Sequence, residues 1–281
     1  MQINKPAPSF SPTASPGSKA VLSLPIGPTY KRVDFSVTAA SGLDASDIGR
    51  INVVMNGVII QTFKNLQRLM DMNSYYGRPA DSVAATAALF SVHFASRSFD
   101  SNLPGNPNAH AARLAPCMGT AGLTSLTIEL EIASGAPASI AMTANAVSTG
   151  DVQPPGQFVQ INEYVWASSV AAEVEYDKLM KERSYMAIHL FKADITAVKV
   201  EKDQRIYIEA SKTLMELDQK NAAPFARVPV TGSATHVDFC LGGDIMDTFK
   251  TYGATDLRIK MTFGTTGSVD IITETLSGLS E

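Results

Sequence analysis

Gly122-Leu123-Thr124-Ser125-Leu126-Thr127-Ile128-Glu129-Leu130-Glu131-Ile132 and Gly253-Ala254-Thr255-Asp256-Leu257-Arg258-Ile259-Lys260-Met261-Thr262-Phe263 share one pattern. Each opens on a glycine turn and runs into seven residues alternating apolar with polar. Period-two alternation rich in β-branched and aliphatic residues marks a strand with one buried face. Outward from these segments the matches continue. Tyr30-x-x-Val33-x-Phe35 answers Tyr185-x-x-Ile188-x-Leu190, and Val92-x-Phe94 answers Val237-x-Phe239. Lys64-Asn65-Leu66-x-x-Leu69 matches Lys212-Thr213-Leu214-x-x-Leu217, and Ser139-Ile140-x-Met142 matches Ser268-Val269-x-Ile271. Any two strands share alternation, so two unrelated β-domains would give single matches. Five in the same order predict a tandem duplication of one β-sandwich, with a short helix in each copy.

The two sets flank Ser148-Thr149-Gly150-Asp151-Val152-Gln153-Pro154-Pro155-Gly156, the strongest turn punctuation in the chain. The expected organisation is an extended N-terminal arm over 1–18, a first domain over 19–150, a linker over 151–156 and a second domain over 157–281. Pro6, Pro8, Pro12 and Pro16 punctuate the arm. Each removes a donor, so the arm is expected to stay out of regular ladders and to order only against neighbours. Asn56-Gly57, between Val53-Val54 and Val58-Ile59-Ile60, is a hairpin signal, because both residues accept the positive φ of a tight turn. Ala172 to Arg183 fits helix or strand.

The 281 residues are 45% hydrophobic, enough for real cores, and only 18% charged, against roughly 25% in ordinary soluble domains. Lys and Arg number 23 and Asp and Glu 27, a net charge of −4. An acidic chain without a basic track argues against nucleic-acid binding. Lys178, Lys181 and Arg183 are interleaved with Asp177 and Glu182, a solvated mixed face. Low charge points to a surface covered largely by partners. Cys117 and Cys240 are too few for a disulfide framework, and Cys240 reads as a small core residue. The N-terminus shows no signal-peptide pattern and no stretch reaches about 20 apolar residues, which predicts synthesis in the cytoplasm.

Catalytic constellations are not found. Phosphate-loop, nucleophile-elbow and zinc-helix patterns are all missing. His93, His110, His189 and His236 are scattered. His93 and His189 alternate with apolar neighbours, so both are expected on a surface or interface. Glu129 with Glu131, and Glu173 with Glu175, lie side by side on strands rather than across a cleft. Asp44-Ala45-Ser46-Asp47 and Gly243-Asp244 could lend oxygens to calcium, but ordinary turn chemistry fits them better. Trp166 with Tyr164 reads as a core or interface anchor. No catalytic and no cofactor-binding residue is assigned, and no metal ligand can be named.

Leu24-Pro25-Ile26-Gly27-Pro28-Thr29-Tyr30 followed by Val33-Asp34 resembles the start of the major capsid proteins of corticovirus-like, membrane-containing icosahedral bacteriophages. Asn56-Gly57-x-x-Ile60-x-Thr62-x-Lys64-x-Leu66-x-x-Leu69, Met118-Gly119-Thr120-x-Gly122-Leu123-Thr124 and Asp256-Leu257-Arg258-Ile259-Lys260 resemble later segments. The likeness runs from about Ala20 to Leu276; the Pro-rich arm and the loop over 101–108 depart from it. It implies an all-β double jelly roll of two eight-stranded barrels. It also implies a structural, non-enzymatic major capsid protein, with three chains per pseudo-hexagonal capsomer in a shell around a membrane. Implied partners are further copies, neighbouring capsomers, a vertex (penton) protein and membrane-associated virion proteins. The resemblance requires no cofactor and allows structural calcium, for which no ligand residue carries over. The competing readings are a carbohydrate- or receptor-binding β-sandwich of spike or lectin type, and a glycoside hydrolase with jelly-roll modules. Neither explains the duplication.

Overall fold

Strands in this chain form where alternation is cleanest, and a computed structural model shows how they pair. The structure describes residues 2–78, 81–95, 117–222, 226–230, 232–243 and 245–278. The chain divides into two compact units, one of Met1–Ile161 with Gly278–Glu281 and one of Asn162–Ser277.

In the first unit the strands are β1 (Gln2–Pro6), β2 (Lys19–Ser23), β3 (Pro28–Thr38), β4 (Ile48–Met55) and β5 (Val58–Phe63), then helix α1 (Leu66–Tyr75). Short β6 (Ser82–Ala84), β7 (Ala87–His93), short β8 (Met118–Gly119), β9 (Leu126–Ile132) and β10 (Ala141–Val152) complete it. One sheet runs β1-β10-β3-β7-β6; the other runs β5-β4-β9-β2. Leaving out β6 and β8, these are eight strands in two four-stranded sheets, the jelly-roll arrangement. β9 buries Leu126, Ile128, Leu130 and Ile132, as its alternation requires. Phe35 stacks on Phe90 across the β3–β7 pair, with ring centroids 5.0 Å apart.

The second unit repeats this order with β11 (Phe158–Ser168), which begins in the first unit, β12 (Glu173–Tyr176), β13 (Ser184–Phe191), β14 (Ile195–Lys202) and β15 (Arg205–Ser211). Helix α2 (Lys212–Lys220), β16 (Thr235–Asp238), short β17 (Phe249–Lys250), β18 (Leu257–Phe263) and β19 (Gly267–Ser277) follow. Its sheets run β11-β19-β13-β16 and β12-β18-β14-β15, strand for strand the order of the first unit. Ala172 to Arg183 resolves as strand β12 followed by loop.

Individual hydrogen bonds repeat as well. Tyr30 donates its hydroxyl to the carbonyl of Pro25, and Tyr185 donates to that of Met180, each five residues back. Asn56 Oδ1 accepts from Thr124 N, Thr124 Oγ1 and Ser125 N, while Asp203 Oδ1 accepts from Thr255 N, Thr255 Oγ1 and Asp256 N. Both residues turn a hairpin at positive φ, 51° and 49°. Gly57 follows at φ 81°, as the Asn-Gly signal predicts. Gly119 answers a different need: an added Cβ would lie 2.3 Å from the carbonyl oxygen of Pro154, so the backbone there tolerates no side chain.

Two of the five sequence matches slip by two residues. Asn65 caps α1 by accepting from Arg68 N, and Ser211 caps α2 by accepting from Leu214 N. The equivalent of Leu66 is therefore Lys212, and that of Leu69 is Met215. The slip turns Leu214 and Leu217 outward, where both are more than half exposed. Likewise Asn145 pairs with Asp34 and Ile272 with His189, so Met142 answers Val269 rather than Ile271. A two-residue slip along a strand preserves the face and escapes notice.

The arm departs from expectation. β1 pairs antiparallel with β10, from Gln2 opposite Thr149 to Pro6 opposite Asn145. The prolines begin only at position 6, so Gln2 to Lys5 keep their donors. Farther along, Ser11 N bonds Val21 O, and Phe10 is buried against Phe35 at 6.2 Å. The arm orders against its own chain. Loop 101–108 lies outside the described residues.

Candidate functional site

Each barrel carries a polar centre beneath its helix, at the same place in the register, partly buried in the first and buried in the second. In the first, β3 and β7 set Asp34 opposite Ser91, and the Ser91 hydroxyl donates to Asp34 Oδ1 at 2.7 Å. Arg32 Nε also bonds Asp34, at 2.8 Å. α1 lowers Asn73, 1% exposed, onto the pair; its Nδ2 donates to Ser91 O at 2.8 Å and to Asp81 Oδ2 at 2.7 Å. Arg78 donates to Asn73 Oδ1 at 3.0 Å. Burial pushes Asp81 up to about 6, against the bonds from Asn73 and Ser91 and the charge of Arg78. Burial, with Arg78 and Arg32, holds His93 well below the ordinary imidazole range.

In the second barrel β13 and β16 set His189 opposite His236, and the two Nδ1 atoms stand 2.7 Å apart. Gln219, the equivalent of Asn73, donates to the carbonyl of His236 at 2.6 Å. Glu274 on β19 lies 3.8 Å from His189 Nε2. A strap, residues 226–230, crosses β16. Arg227 N bonds Gln219 O at 2.8 Å, Arg227 Nε bonds Asp238 Oδ2 at 2.8 Å, and Val230 N donates to His236 Nε2 at 3.3 Å. His189, His236, Gln219, Arg227 and Glu274 are all less than 5% exposed. Burial, then His236 and Arg227, holds His189 well below its usual range. Burial and Lys212 bring His236 down to about 3.

These centres correct the histidine expectation. His189 and His236 are interior residues, because the strap lies over the face that alternation assigned to the surface for His189; His93 is half-buried. His110 lies outside the described residues. The run Asp270-Ile271-Ile272-Thr273-Glu274-Thr275, buried throughout, is the sequence signal for the second centre: polar residues sit in a strand with no exposed face.

The other candidates resolve into structure. Glu129 pairs with Lys19 at 2.9 Å, and Glu175 with Arg258 at 3.0 Å and Lys260 at 3.9 Å. Asp44 and Asp47 spend their carboxylates on a reciprocal capping box of a short 3-10 turn. Asp244 lies outside the described residues. Trp166 packs on Tyr176 and Phe263 at the edge of the second core. Cys117 and Cys240 are buried and are not joined in a disulfide. Among the described residues no three His, Cys, Asp or Glu side chains gather to hold a metal ion.

Two domains of one known family cover nearly all of the chain. The viral coat protein P2 N-terminal domain matches residues 4–152 and the C-terminal domain residues 158–279. The chain belongs to the viral coat protein P2 family. It is a structural coat protein of the virion, not an enzyme. It is 25% identical over 275 residues to the major capsid protein P2 of Pseudoalteromonas phage PM2, covering 94% of this chain and 93% of that one. The crystal structure of that PM2 protein superposes with a TM-score of 0.86 at 22% identity, over 100% of this coat protein and 99% of the other. Similarity in fold extends to Sulfolobus Turreted Icosahedral Virus, with a TM-score of 0.71, 8% identity and coverage of 99% and 91%. It extends also to the PBCV-1 virus capsid, at 0.61, 8%, 98% and 92%. The double jelly roll expected from the sequence is the fold of this coat protein.

Proposed function

We propose that this coat protein is the main shell-forming subunit of its virion, assembling as a homotrimer into pseudo-hexagonal capsomers of an icosahedral shell around a membrane. The observation that carries this is the identical strand order of two eight-stranded barrels in one chain. Three copies present six similar barrels, so a threefold object fills a hexagonal lattice. Neighbouring capsomers, a vertex protein and membrane-associated proteins complete the shell in this reading. The boundary between jelly rolls falls at 151–156, between 19–150 and 157–281. The gap between the two family domains, residues 153–157, supports it. Exposed Leu214, Leu217, Val58 and Ile59 are suited to burial between subunits. Mass photometry of the purified protein tests this. Three chains of 29.9 kDa give a species of about 90 kDa. A stable 30-kDa monomer with saturable sugar binding would move the assignment to a lectin-like protein.

A further inference from the structure

Two hydrogen bonds of the second barrel's histidine pair depend on ring nitrogens that accept. His236 Nε2 accepts from Val230 N, so the neutral ring carries its proton on Nδ1. That N–H points at Nδ1 of His189, 2.7 Å away, which must therefore accept. The His189 proton then sits on Nε2, on the side of Glu274. Both lone pairs of the pair are in use. A proton arriving at His236 Nε2 displaces the Val230 N–H; one arriving at His189 Nδ1 sets two N–H groups against each other at 2.7 Å.

We propose that His189 and His236 form an acid-released latch, holding the strap 226–230 and the C-terminal end of α2 on the second barrel at neutral pH and freeing them on protonation. Of the strap's fastenings the latch controls one directly: Val230 N to His236 Nε2. Others are Arg227 N to Gln219 O, and the Arg227 side chain to Asp238 and to the Cys240 carbonyl. Gln219 bonds the carbonyl of His236 itself, so movement of that residue is felt at the end of α2. Burial and two cations favour the neutral pair, against the carboxylate of Glu274. Lys212 on α2 and Arg227 on the strap repel an imidazolium. Asp238 on β16 is engaged with Arg227 at 2.8 Å. On β19 Glu274 faces His189 Nε2, where a neutral ring already has its proton, and Asp270, on the same face, is in register with Phe191. The Phe191 ring meets His236 edge-on at 6.2 Å. The first barrel has Asp34 and Ser91 at this register position, so this latch belongs to the second barrel alone. Opening exposes rings that titrate at ordinary imidazole pH, so the open fraction rises about tenfold per pH unit for each ring that gains a proton.

Cys240 reports the opening. It is 1% exposed, and its carbonyl accepts from Arg227 of the strap at 3.3 Å. In full-length Cys117→Ser protein, the rate of Cys240 modification by 4,4′-dithiodipyridine is measured from pH 7 to pH 4 and normalised to a free thiol at each pH. The latch predicts a rise of about tenfold or more per unit below pH 6, and a flat profile in the His189→Asn/His236→Gln background. A flat profile in the parent, or the same rise in the double variant, overturns the proposal. If the double variant does not fold, hydrogen exchange on the parent decides. Residues 212–220 and 226–230 opening at acid pH before β18 supports the latch; their opening together with β18 overturns it.

Discussion

Asn56→Ala removes the acceptor that ties the β4–β5 hairpin to the start of β9. The side chain accepts three bonds, at 2.8, 2.9 and 3.2 Å, and the residue sits at φ 51°. The site is exposed, so water recovers part of each bond and the net loss is about 0.5 kcal/mol apiece. Alanine adds about 1 kcal/mol for holding a Cβ in the left-handed region. The sum is about 2–3 kcal/mol. Asn56→Gly loses the same bonds without that steric term, so it should recover about 1 kcal/mol relative to alanine. Asp203→Asn, which keeps both acceptor and hairpin, should cost less than about 1 kcal/mol. Urea unfolding at one fixed protein concentration measures all three. Equal losses for alanine and glycine would show that φ at this turn carries no strain. A loss below about 0.5 kcal/mol for alanine would show that the repeated hydrogen bonds are incidental.

Leu69→Ala, at a position 1% exposed, should destabilise by about 2–5 kcal/mol, whereas Leu217→Ala, 53% exposed, should change chain stability by less than about 0.5 kcal/mol and weaken assembly instead; urea unfolding and mass photometry of the two variants separate these effects. Phe10→Ala should leave the barrel folded while residues 2–12 lose hydrogen-exchange protection, because the ring is the arm's main apolar anchor on Phe35. Asp81 has its folded value raised to about 6 from an unfolded 3.8, so its protonated form is the one the fold favours. Its contribution is fully present below about pH 4 and is lost as pH rises through 6. Asp81→Asn should remove that component from its own stability–pH curve, so that urea unfolding from about pH 4 to pH 7 shows it as the difference from the parent.

Most of the fold is legible because its signals are local. Alternation in Leu126–Ile132 and Leu257–Phe263, the Asn56-Gly57 turn and the Pro154-Pro155-Gly156 punctuation each report on a few residues. Illegible features depend on what covers a strand. His189 alternates like a surface residue, yet it is fully buried on the face where the strap lies. Leu214 and Leu217 look like a core stripe, yet the cap at Ser211 turns them outward, a shift that depends on which residue accepts the first helical N–H. The arm's prolines suggested an unpaired segment, but Gln2 to Lys5 precede them and find β10. The polar centres need four or five separated segments brought together; polar residues within the run over 270–275 mark one of them, but its pattern does not name the others.

Electron cryomicroscopy of the assembled protein tests the central claim most directly, because it resolves individual barrels and their lattice together. The account predicts capsomers with a hexagonal outline made of three chains, each supplying two upright barrels of like strand order. Capsomers with six separate chains, or particles in which each chain contributes one barrel to the lattice and projects the other as a spike, would contradict it.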